Sequence, residues 1–345
     1  MAEDYGGPRR EFFRLLMIEL QSNLGIFEGK PGLLLFSYDQ KALAENKFYT
    51  ADLMAWSIIH NGPGIKCINK ELFMIMCGQK PDLTTFDHTN FLENDLAEKL
   101  AKVVGCSSPE ELTELKNSLG DWICDCGVPN IFTASLSNLP TIYGQLVTHF
   151  IYHRVASIIQ QFTSGLNSCG RLWEVVLNNW KAFLPLFTNT RGALTRNEVR
   201  DLFNIVWSSP GSNRGDLEEE TVFLWECWLM LIQEEDVGIS FEEFLVFVTA
   251  ADSVPPLGFQ QKCQVEFYDQ EEPTRRIPYA STCADSLPTK RCVRRRGIQG
   301  INVPCNKRIS RIWEGISVTF LKDRFTFIMF ADNLLILMSD EREGL

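Results

Sequence analysis

At 345 residues, with 45% apolar and 11% aromatic side chains, the chain can bury a large core and form about two domains. Its net charge of −11 argues against nucleic acid as the main partner, because phosphate binding requires a positive surface. The first ten residues show no apolar signal stretch, and the apolar runs fall short of the roughly 18 residues that cross a membrane. We therefore expect a folded globular protein with no membrane partner.

Cysteine usage and charge distribution refine this expectation. Eleven cysteines without a secretory signal are typical of reduced thiols, which predicts a cytoplasmic or nuclear location. Residues 216–243 hold ten acidic and no basic side chains, whereas residues 290–311 hold eight basic and no acidic ones. This reversal indicates a change in the character of the chain near residue 290.

The first half of the chain is predicted to be mainly helical. Apolar residues recur at helical spacing over 10–25, 42–60, 149–165 and 172–187, and shorter helices are expected between 84 and 130. The apolar stripes are Phe12, Phe13, Leu16 and Leu20 in the first helix and Tyr49, Leu53, Trp56 and Ile59 in the second. These stripes are interpreted as core.

The second half is predicted to mix helix and strand. Residues 208–215 have the Ser, Pro and Gly content of a flexible connector and give the best domain boundary. An acidic helix over 218–233 follows, with the apolar stripe Val222, Trp225, Leu229 and Ile232. A helix over 241–250 and a strand over 263–268 complete the region. The fold class is therefore α+β.

Cys283 is the candidate catalytic residue. Its neighbours Ser281, Thr282 and Ala284 are small, which is typical of a turn where a sulfur can be reached. A reachable thiol in a reducing compartment is a candidate nucleophile. The other ten cysteines are interpreted as ordinary buried thiols.

Four segments together resemble the HECT ubiquitin-ligase domain. Residues 4–13 match its D-x-G-G-P-x-R-E-F-F start, residues 244–249 its F-L-x-F-x-T tract, residues 254–259 its P-P-L-G-F run, and residues 277–283 its L-P-x-A-S-T-C active-site motif. The matches keep the family's order. Gly-Ser-Asn-Arg before the acidic helix and Thr-Cys-Ala-Asp after the turn are most similar to the G2/M-phase-specific ligase group of that family.

The resemblance implies a bilobal fold and a two-step transfer. Residues 1–207 would form a mainly helical amino lobe, truncated at its start, that docks a ubiquitin-conjugating enzyme. Residues 208–215 would be the hinge, and 216–290 a smaller, partial α/β carboxyl lobe that carries Cys283. The partners implied are the conjugating enzyme, ubiquitin and a protein substrate that the sequence does not identify. Cys283 would hold ubiquitin as a thioester, with no cofactor and no metal.

Residues 291–345 depart from the family pattern. From Arg291 onward nothing matches, so the carboxyl lobe is expected to be incomplete and this tail divergent. Residues 330–337 resemble the F-A-D-D-L strand-turn-strand of retroelement reverse transcriptases, but Asn333 replaces the second carboxylate that two-metal catalysis needs. We interpret this segment as a relic without polymerase activity.

Other functions and sites have weaker support. A degenerate domain that only binds a conjugating enzyme or ubiquitin stays open as the alternative function. A cysteine hydrolase with His149 or His153 as base lacks a convincing Cys-His pair, and those histidines lack the glutamate of H-E-x-x-H. Zinc at Cys106, Cys124 and Cys126 lacks a second ligand pair. A calcium loop ending at Glu243 would put Val237 where glycine is required.

Overall fold

A computed structural model describes residues 6–268, 280–282 and 285–290 of the chain. Within these residues the protein contains thirteen α-helices and five short strands, which confirms the predicted α+β class. The chain divides into two compact units. The larger unit comprises 13–192 and 255–257, and the described part of the smaller one comprises 6–12, 193–254, 258–268, 280–282 and 285–290.

The larger unit is built mainly from helices. After α1 (Gly7–Ser22), the chain forms β1 (Phe27–Glu28), β2 (Leu35–Phe36), α2 (Gln40–Ala44), α3 (Ala51–Ile59), α4 (Lys70–Met76), α5 (Asn94–Gly105), α6 (Pro109–Asp125), α7 (Leu139–Thr148), α8 (Ala156–Asn167), α9 (Leu172–Asn178) and α10 (Trp180–Phe187). Strands β1 and β2 pair antiparallel. The first residues of α1, Gly7 to Phe12, belong to the smaller unit.

Three predicted helices are interrupted in the structure. The segment 42–60 breaks at Asn46, whose left-handed φ of 61° leads into a 3₁₀ turn before α3. The segment 149–165 begins with a π-helical turn over His149–His153, and 172–187 breaks at Asn179, whose φ is −131°. Asparagine, the residue at both positions 46 and 179, has a side chain that competes for backbone hydrogen bonds, and it tolerates a non-helical φ. The spacing of apolar residues does not reveal this local effect.

The predicted apolar stripes are only partly core. In α1 the buried hydrophobic residues are Phe13, Met17 and Leu20, whereas Phe12 is 60% exposed. In α3 the predicted Trp56 is 53% exposed, and the buried residues are Ala51, Met54, Ala55 and Ser57. The start of α3 lies close to α8: a Cβ at Gly165 would lie 2.4 Å from the carbonyl oxygen of Tyr49 and 3.2 Å from the Ala51 Cβ.

The smaller unit contains a three-stranded parallel sheet. It comprises α11 (Arg196–Asp201), β3 (Phe203–Ile205), α12 (Gly215–Gln233), α13 (Phe241–Thr249), β4 (Cys263–Tyr268) and β5 (Ser286–Lys290). The strand order is β3-β4-β5, with Phe203 opposite Cys263 and Val265 opposite Leu287. The bounds of β4 are those predicted. Strand β3 has only three residues, and β5 contains Pro288 and a single large apolar side chain, Leu287, so neither shows a strand pattern in the sequence.

The core of the smaller unit lies around the inner face of α12. Trp225 and Trp228 are fully buried, and their rings stack edge-on against Phe203 and Phe244 respectively. Three of the four predicted α12 stripe residues are buried, and Val222 is half-buried. The interpretation of this stripe as core is therefore largely confirmed.

The units do not follow the predicted domain limits. The division falls between Gly192 and Ala193, so residues 193–207 share a unit with α12. The physical reason is strand pairing, because β3 joins β4 in parallel. At residue 208 the backbone N–H donates to the buried Glu218 carboxylate at 2.9 Å. The hinge role of 208–215 stays a prediction, and residues 291–345 lie outside the described part of the chain.

None of the helices that the structure describes is long and apolar enough to span a bilayer.

In α13 the acidic Glu243 has a structural role. Its carboxylate accepts the backbone N–H of Ser240 at 2.8 Å, while its own N–H donates to the Ser240 hydroxyl at 3.1 Å. This reciprocal cap explains why an acidic residue stands at the end of the segment that resembles a calcium loop.

Candidate active site

The described flanks of Cys283 form a closed loop. Cys283 and Ala284 themselves lie outside the described residues. On either side of them, the Ser281 N–H donates to the Ser286 carbonyl at 2.9 Å, and the Ser286 N–H donates to the Ser281 carbonyl at 3.1 Å. These two bonds pair Ser281 with Ser286; the four residues between them in the chain, 282–285, of which Cys283 is the second, are called the cysteine loop below. The catalytic role of Cys283 stays a prediction.

The carboxyl end of this loop is anchored in the sheet. Strand β5 begins at Ser286, and the Gln264 N–H of β4 donates to the Asp285 carbonyl at 2.8 Å. The next residue, Leu287, is completely buried opposite Val265. The loop that contains position 283 therefore joins directly to a buried strand of the smaller unit.

Asp285 ends the loop in an unusual backbone conformation. Its φ of 49° lies in the left-handed region, which Asp and Asn adopt more readily than other side chains except glycine. The residue is only 2% exposed. Its carboxylate accepts a short hydrogen bond from the Arg10 guanidinium, and the two form a buried ion pair.

Arg10 connects the cysteine loop to two further segments of the same unit. Its Nε donates to the Thr249 carbonyl at the end of α13, and its Nη2 donates to the Thr282 carbonyl, each at 2.7 Å. The guanidinium carbon also lies 5.6 Å from the centre of the Phe259 ring. A planar guanidinium with five donors can serve several acceptors at once, which a lysine ammonium does less well.

The environment of Asp285 changes its acidity. Burial raises the pKa of Asp285 to about 6, and the neighbouring Arg10 guanidinium opposes that rise without cancelling it. Burial dominates because removing a carboxylate from water disfavours its charged form. Near neutral pH the pair is therefore charged but carries a desolvation penalty.

This raised pKa predicts a pH-dependent stability. Between about pH 4 and pH 6 the folded protein holds a proton on Asp285 that the unfolded chain has released, so this group's contribution to stability falls as pH rises through that window. We expect the unfolding free energy of the wild type, relative to Asp285→Asn, to fall by about 1–3 kcal/mol from pH 4 to pH 7. Urea denaturation of both proteins across that range measures the difference, and a flat difference would contradict the assignment.

Several other thiols are poor nucleophile candidates. Burial raises the pKa of Cys67, Cys77 and Cys263 to about 12, which leaves almost no thiolate near neutral pH. Burial is also the main cause that raises the pKa of Cys126. Among the residues that the structure describes, no cluster of three or more His, Cys, Asp or Glu side chains could hold a metal ion.

The histidines considered as a base lie in the other unit. His149 and His153 occupy the π-helical turn of the larger unit, whereas residues 280–282 and 285–290 belong to the smaller one. Partial burial lowers the pKa of His149, and the charges of His153 and Arg154 lower it further. Histidines are common as structural residues, and these two make ring contacts with their own neighbours Phe150 and Tyr152.

Sequence reasoning did not assign a role to Arg10 or Asp285. Arg10 appeared only as one letter of an amino-terminal motif, and Asp285 only as a neighbour of Cys283. The two are 275 residues apart in the chain, so no local spacing could indicate their pairing. The first letters of that motif, Asp4 and Tyr5, lie outside the described residues.

Comparison with known proteins gives a consistent relationship. The model of the HECT-domain (ubiquitin-transferase) family matches residues 137–296, a range that includes Cys283. The chain is 27% identical over 270 residues to a G2/M phase-specific E3 ubiquitin-protein ligase of Gallus gallus, an alignment covering 77% of this chain and 34% of the relative. Ligases with the same description from Macaca fascicularis and Homo sapiens are each 24% identical over 265 residues, which is 76% of this chain and 36% of each relative.

These similarities support a relationship to HECT-type E3 ubiquitin ligases. The chain spans about a third of the length of the curated relatives it matches. All three relatives are described as G2/M phase-specific ligases, which is the group that the sequence motifs resemble.

Proposed function

We propose that this chain is a HECT-type ubiquitin transferase in which Cys283 accepts ubiquitin as a thioester from a conjugating enzyme and passes it to a substrate lysine. The observation that carries the proposal is the loop 282–285, closed by the Ser281–Ser286 pair and held by Arg10, within a region that matches the family model. The similarity to E3 ligases across three quarters of the chain supports the same activity.

The first step is an exchange of thioesters. The Cys283 thiolate attacks the carbonyl carbon at the ubiquitin carboxyl terminus, a new C–S bond forms, and the conjugating enzyme's cysteine leaves as its thiolate. One thioester replaces another, so the step is nearly thermoneutral and needs neither metal nor nucleotide. An unperturbed cysteine with a pKa of about 8.5 is a few per cent thiolate at neutral pH, which suffices for this nucleophile.

The second step transfers ubiquitin to nitrogen. A neutral lysine amine attacks the Cys283 thioester, the C–N bond forms, and the C–S bond breaks to regenerate the thiolate. One of the two protons of the attacking amine is released to solvent or to a base of the substrate complex, and the other stays on the amide nitrogen. An amide is more stable than a thioester, so this step drives the sequence forward. Thiol chemistry of this kind requires a reducing compartment, which fits the proposed cytoplasmic or nuclear location.

The proposed lobes divide the labour. We assign docking of the conjugating enzyme to the mainly helical residues 1–207 and the chemistry to residues 216–290, which belong mostly to the smaller unit and follow the segment 208–215. The segment 208–215 remains the proposed hinge: residues 209–214 are exposed, and Gly211 has a left-handed φ of 85°. A mobile connector would let one sulfur serve first the conjugating enzyme and then the acceptor lysine.

A binding function without transfer is the second candidate. The family match ends at residue 296, soon after Cys283. A carboxyl lobe lacking part of its family sequence would keep docking surfaces while losing transfer. This candidate predicts affinity for a conjugating enzyme or ubiquitin in the absence of any adduct.

The test is an adduct assay with the full chain. The protein is incubated with activating enzyme, ATP, fluorescent ubiquitin and a panel of conjugating enzymes, and the products are separated without reductant. We expect an adduct of one ubiquitin that dithiothreitol removes and that Cys283→Ala abolishes. The matched control is Cys169→Ala, which removes a half-buried thiol of the larger unit and should leave the adduct intact.

A folded protein that forms no adduct with any conjugating enzyme would contradict the transferase proposal. Folding is checked by the cooperative unfolding of each variant. Binding of a conjugating enzyme or of ubiquitin under those conditions would then favour the second candidate.

A further inference from the structure

The start of α1 lies against the residue that precedes Cys283. A Cβ added at Gly7 would lie 2.8 Å from the Thr282 hydroxyl oxygen and 2.9 Å from both the carbonyl carbon and the carbonyl oxygen of Thr282. Such distances leave no room for a side chain, and the clash would be with backbone as well as with a side chain. The absence of a side chain at residue 7 therefore permits the helix to approach the cysteine loop.

Arg10 holds both sides of the loop from the same helix. It donates to the Thr282 carbonyl, immediately before Cys283, and to the Asp285 carboxylate, two residues after it. Its third acceptor, the Thr249 carbonyl, belongs to the last residue of α13. The buried Arg10 side chain thus connects Thr282 and Asp285, the residues before and after Cys283–Ala284, to the last residue of α13.

Two backbone contacts also restrain the residues on either side of Cys283. The closure of the loop depends on the Ser281–Ser286 pair, and its carboxyl end on the bond from Gln264 to Asp285. Asp285 also occupies a left-handed conformation, which costs a non-glycine residue roughly 1–2 kcal/mol. A conformation of that kind persists only when its surroundings hold it, and the Arg10 ion pair supplies such a contact.

We infer that Arg10 is a positioning residue for ubiquitin transfer: its three hydrogen bonds fix the loop that presents Cys283. This inference rests on the proposed function. The Arg10 guanidinium acts through the backbone of Thr282 and the side chain of Asp285, and needs no contact with ubiquitin. Transfer between two protein-bound thioesters requires alignment of the sulfur with the ubiquitin carbonyl, and misplacement by about 1 Å can cost 10²-fold in rate.

Arg10→Lys separates geometry from charge. Lysine keeps the positive charge near Asp285, but its single ammonium cannot reproduce the planar fork that reaches three acceptors. The matched control is Arg9→Lys, the same change at the adjacent, half-buried arginine.

Three measurements test the inference on these full-length variants. Single-turnover loading of Cys283 from a charged conjugating enzyme is expected to slow at least tenfold in Arg10→Lys and to stay within about twofold of wild type in Arg9→Lys. Hydrogen exchange at the Ser281 and Ser286 amides is expected to accelerate in Arg10→Lys, while exchange in β4 is unchanged. Alkylation of Cys283 by iodoacetamide, which needs a thiolate but no defined geometry, is not expected to slow.

The outcomes separate this inference from the proposed function. Wild-type loading by Arg10→Lys overturns the inference, whether or not the loop amides lose protection. Suppose that none of the conjugating enzymes loads ubiquitin onto the wild type, but the Ser281 and Ser286 amides still exchange faster in Arg10→Lys. The proposed function then fails, while the inference that Arg10 holds the loop is supported.

Discussion

Arg10→Met is expected to lower the stability of the smaller unit by about 3–5 kcal/mol at neutral pH, the cost of breaking a buried ion pair from one side. The variant leaves the Asp285 carboxylate 2% exposed and without its guanidinium partner. A buried carboxylate without a counter-charge must either bear the full cost of desolvation or take up a proton. Hydrogen exchange of the β4 amides under native conditions measures the loss, because it reports on this unit specifically.

The double variant Arg10→Met/Asp285→Asn is the control for this cost. It removes both charges while keeping a residue that tolerates the left-handed φ of 49°. We expect it to recover most of the lost stability, because no unpaired charge remains buried. A single variant that loses less than about 1 kcal/mol, within the range of an exposed pair, would show that Asp285 and Arg10 do not form the buried pair described above.

Gly64→Ala is expected to destabilise the larger unit by about 3 kcal/mol or more, in the range of severe steric overpacking. A Cβ at residue 64 would lie 2.0 Å from the carbonyl oxygen of Leu186. That contact cannot relax easily, because the neighbouring Lys66 N–H donates to the same carbonyl at 3.0 Å and the Ile68 N–H donates to the Phe187 carbonyl at 2.9 Å. The two backbone segments are therefore held together next to the clash.

The matched control for this clash is Gly105→Ala. Gly105 is the last residue of α5 and is exposed, and a Cβ added there would have no neighbouring atom within 4 Å. Alanine there should leave stability unchanged or raise it by up to about 1 kcal/mol. Urea denaturation of the two variants gives the comparison, and equal stabilities would contradict the close approach of residues 64 and 186.

Local patterns in the sequence predicted most of the longer helices and one strand, but not α4, α7 or α11. The alternation and apolar content of 263–268 gave the bounds of β4, and the Ser240–Glu243 cap marks the start of α13 where the pattern begins. The breaks at Asn46 and Asn179 were missed, because one backbone angle changes without altering the apolar spacing. Element type follows from periodicity, whereas helix interruptions depend on single residues.

Tertiary contacts were the part that the sequence could not reveal. The exposed position of Trp56 follows from the close approach of α8, which selects the face with Ala51 and Ala55 for burial. The pairing of Arg10 with Asp285 depends on residues 275 positions apart. Residue 283 was indicated by its motif, but the side chains that hold its loop become apparent only when distant segments of the smaller unit are brought together.

Position 283 is expected to carry ubiquitin covalently, and Cys283→Ser tests this most directly. A hydroxyl in place of the thiol should trap ubiquitin from the conjugating enzyme as an oxyester that resists dithiothreitol and is cleaved by hydroxide. Mass spectrometry after trypsin should then find the Gly-Gly remnant of ubiquitin on the hydroxyl introduced at position 283. A stable ubiquitin adduct at a different residue, or thioester formation by the wild type that persists in Cys283→Ala, would contradict the account.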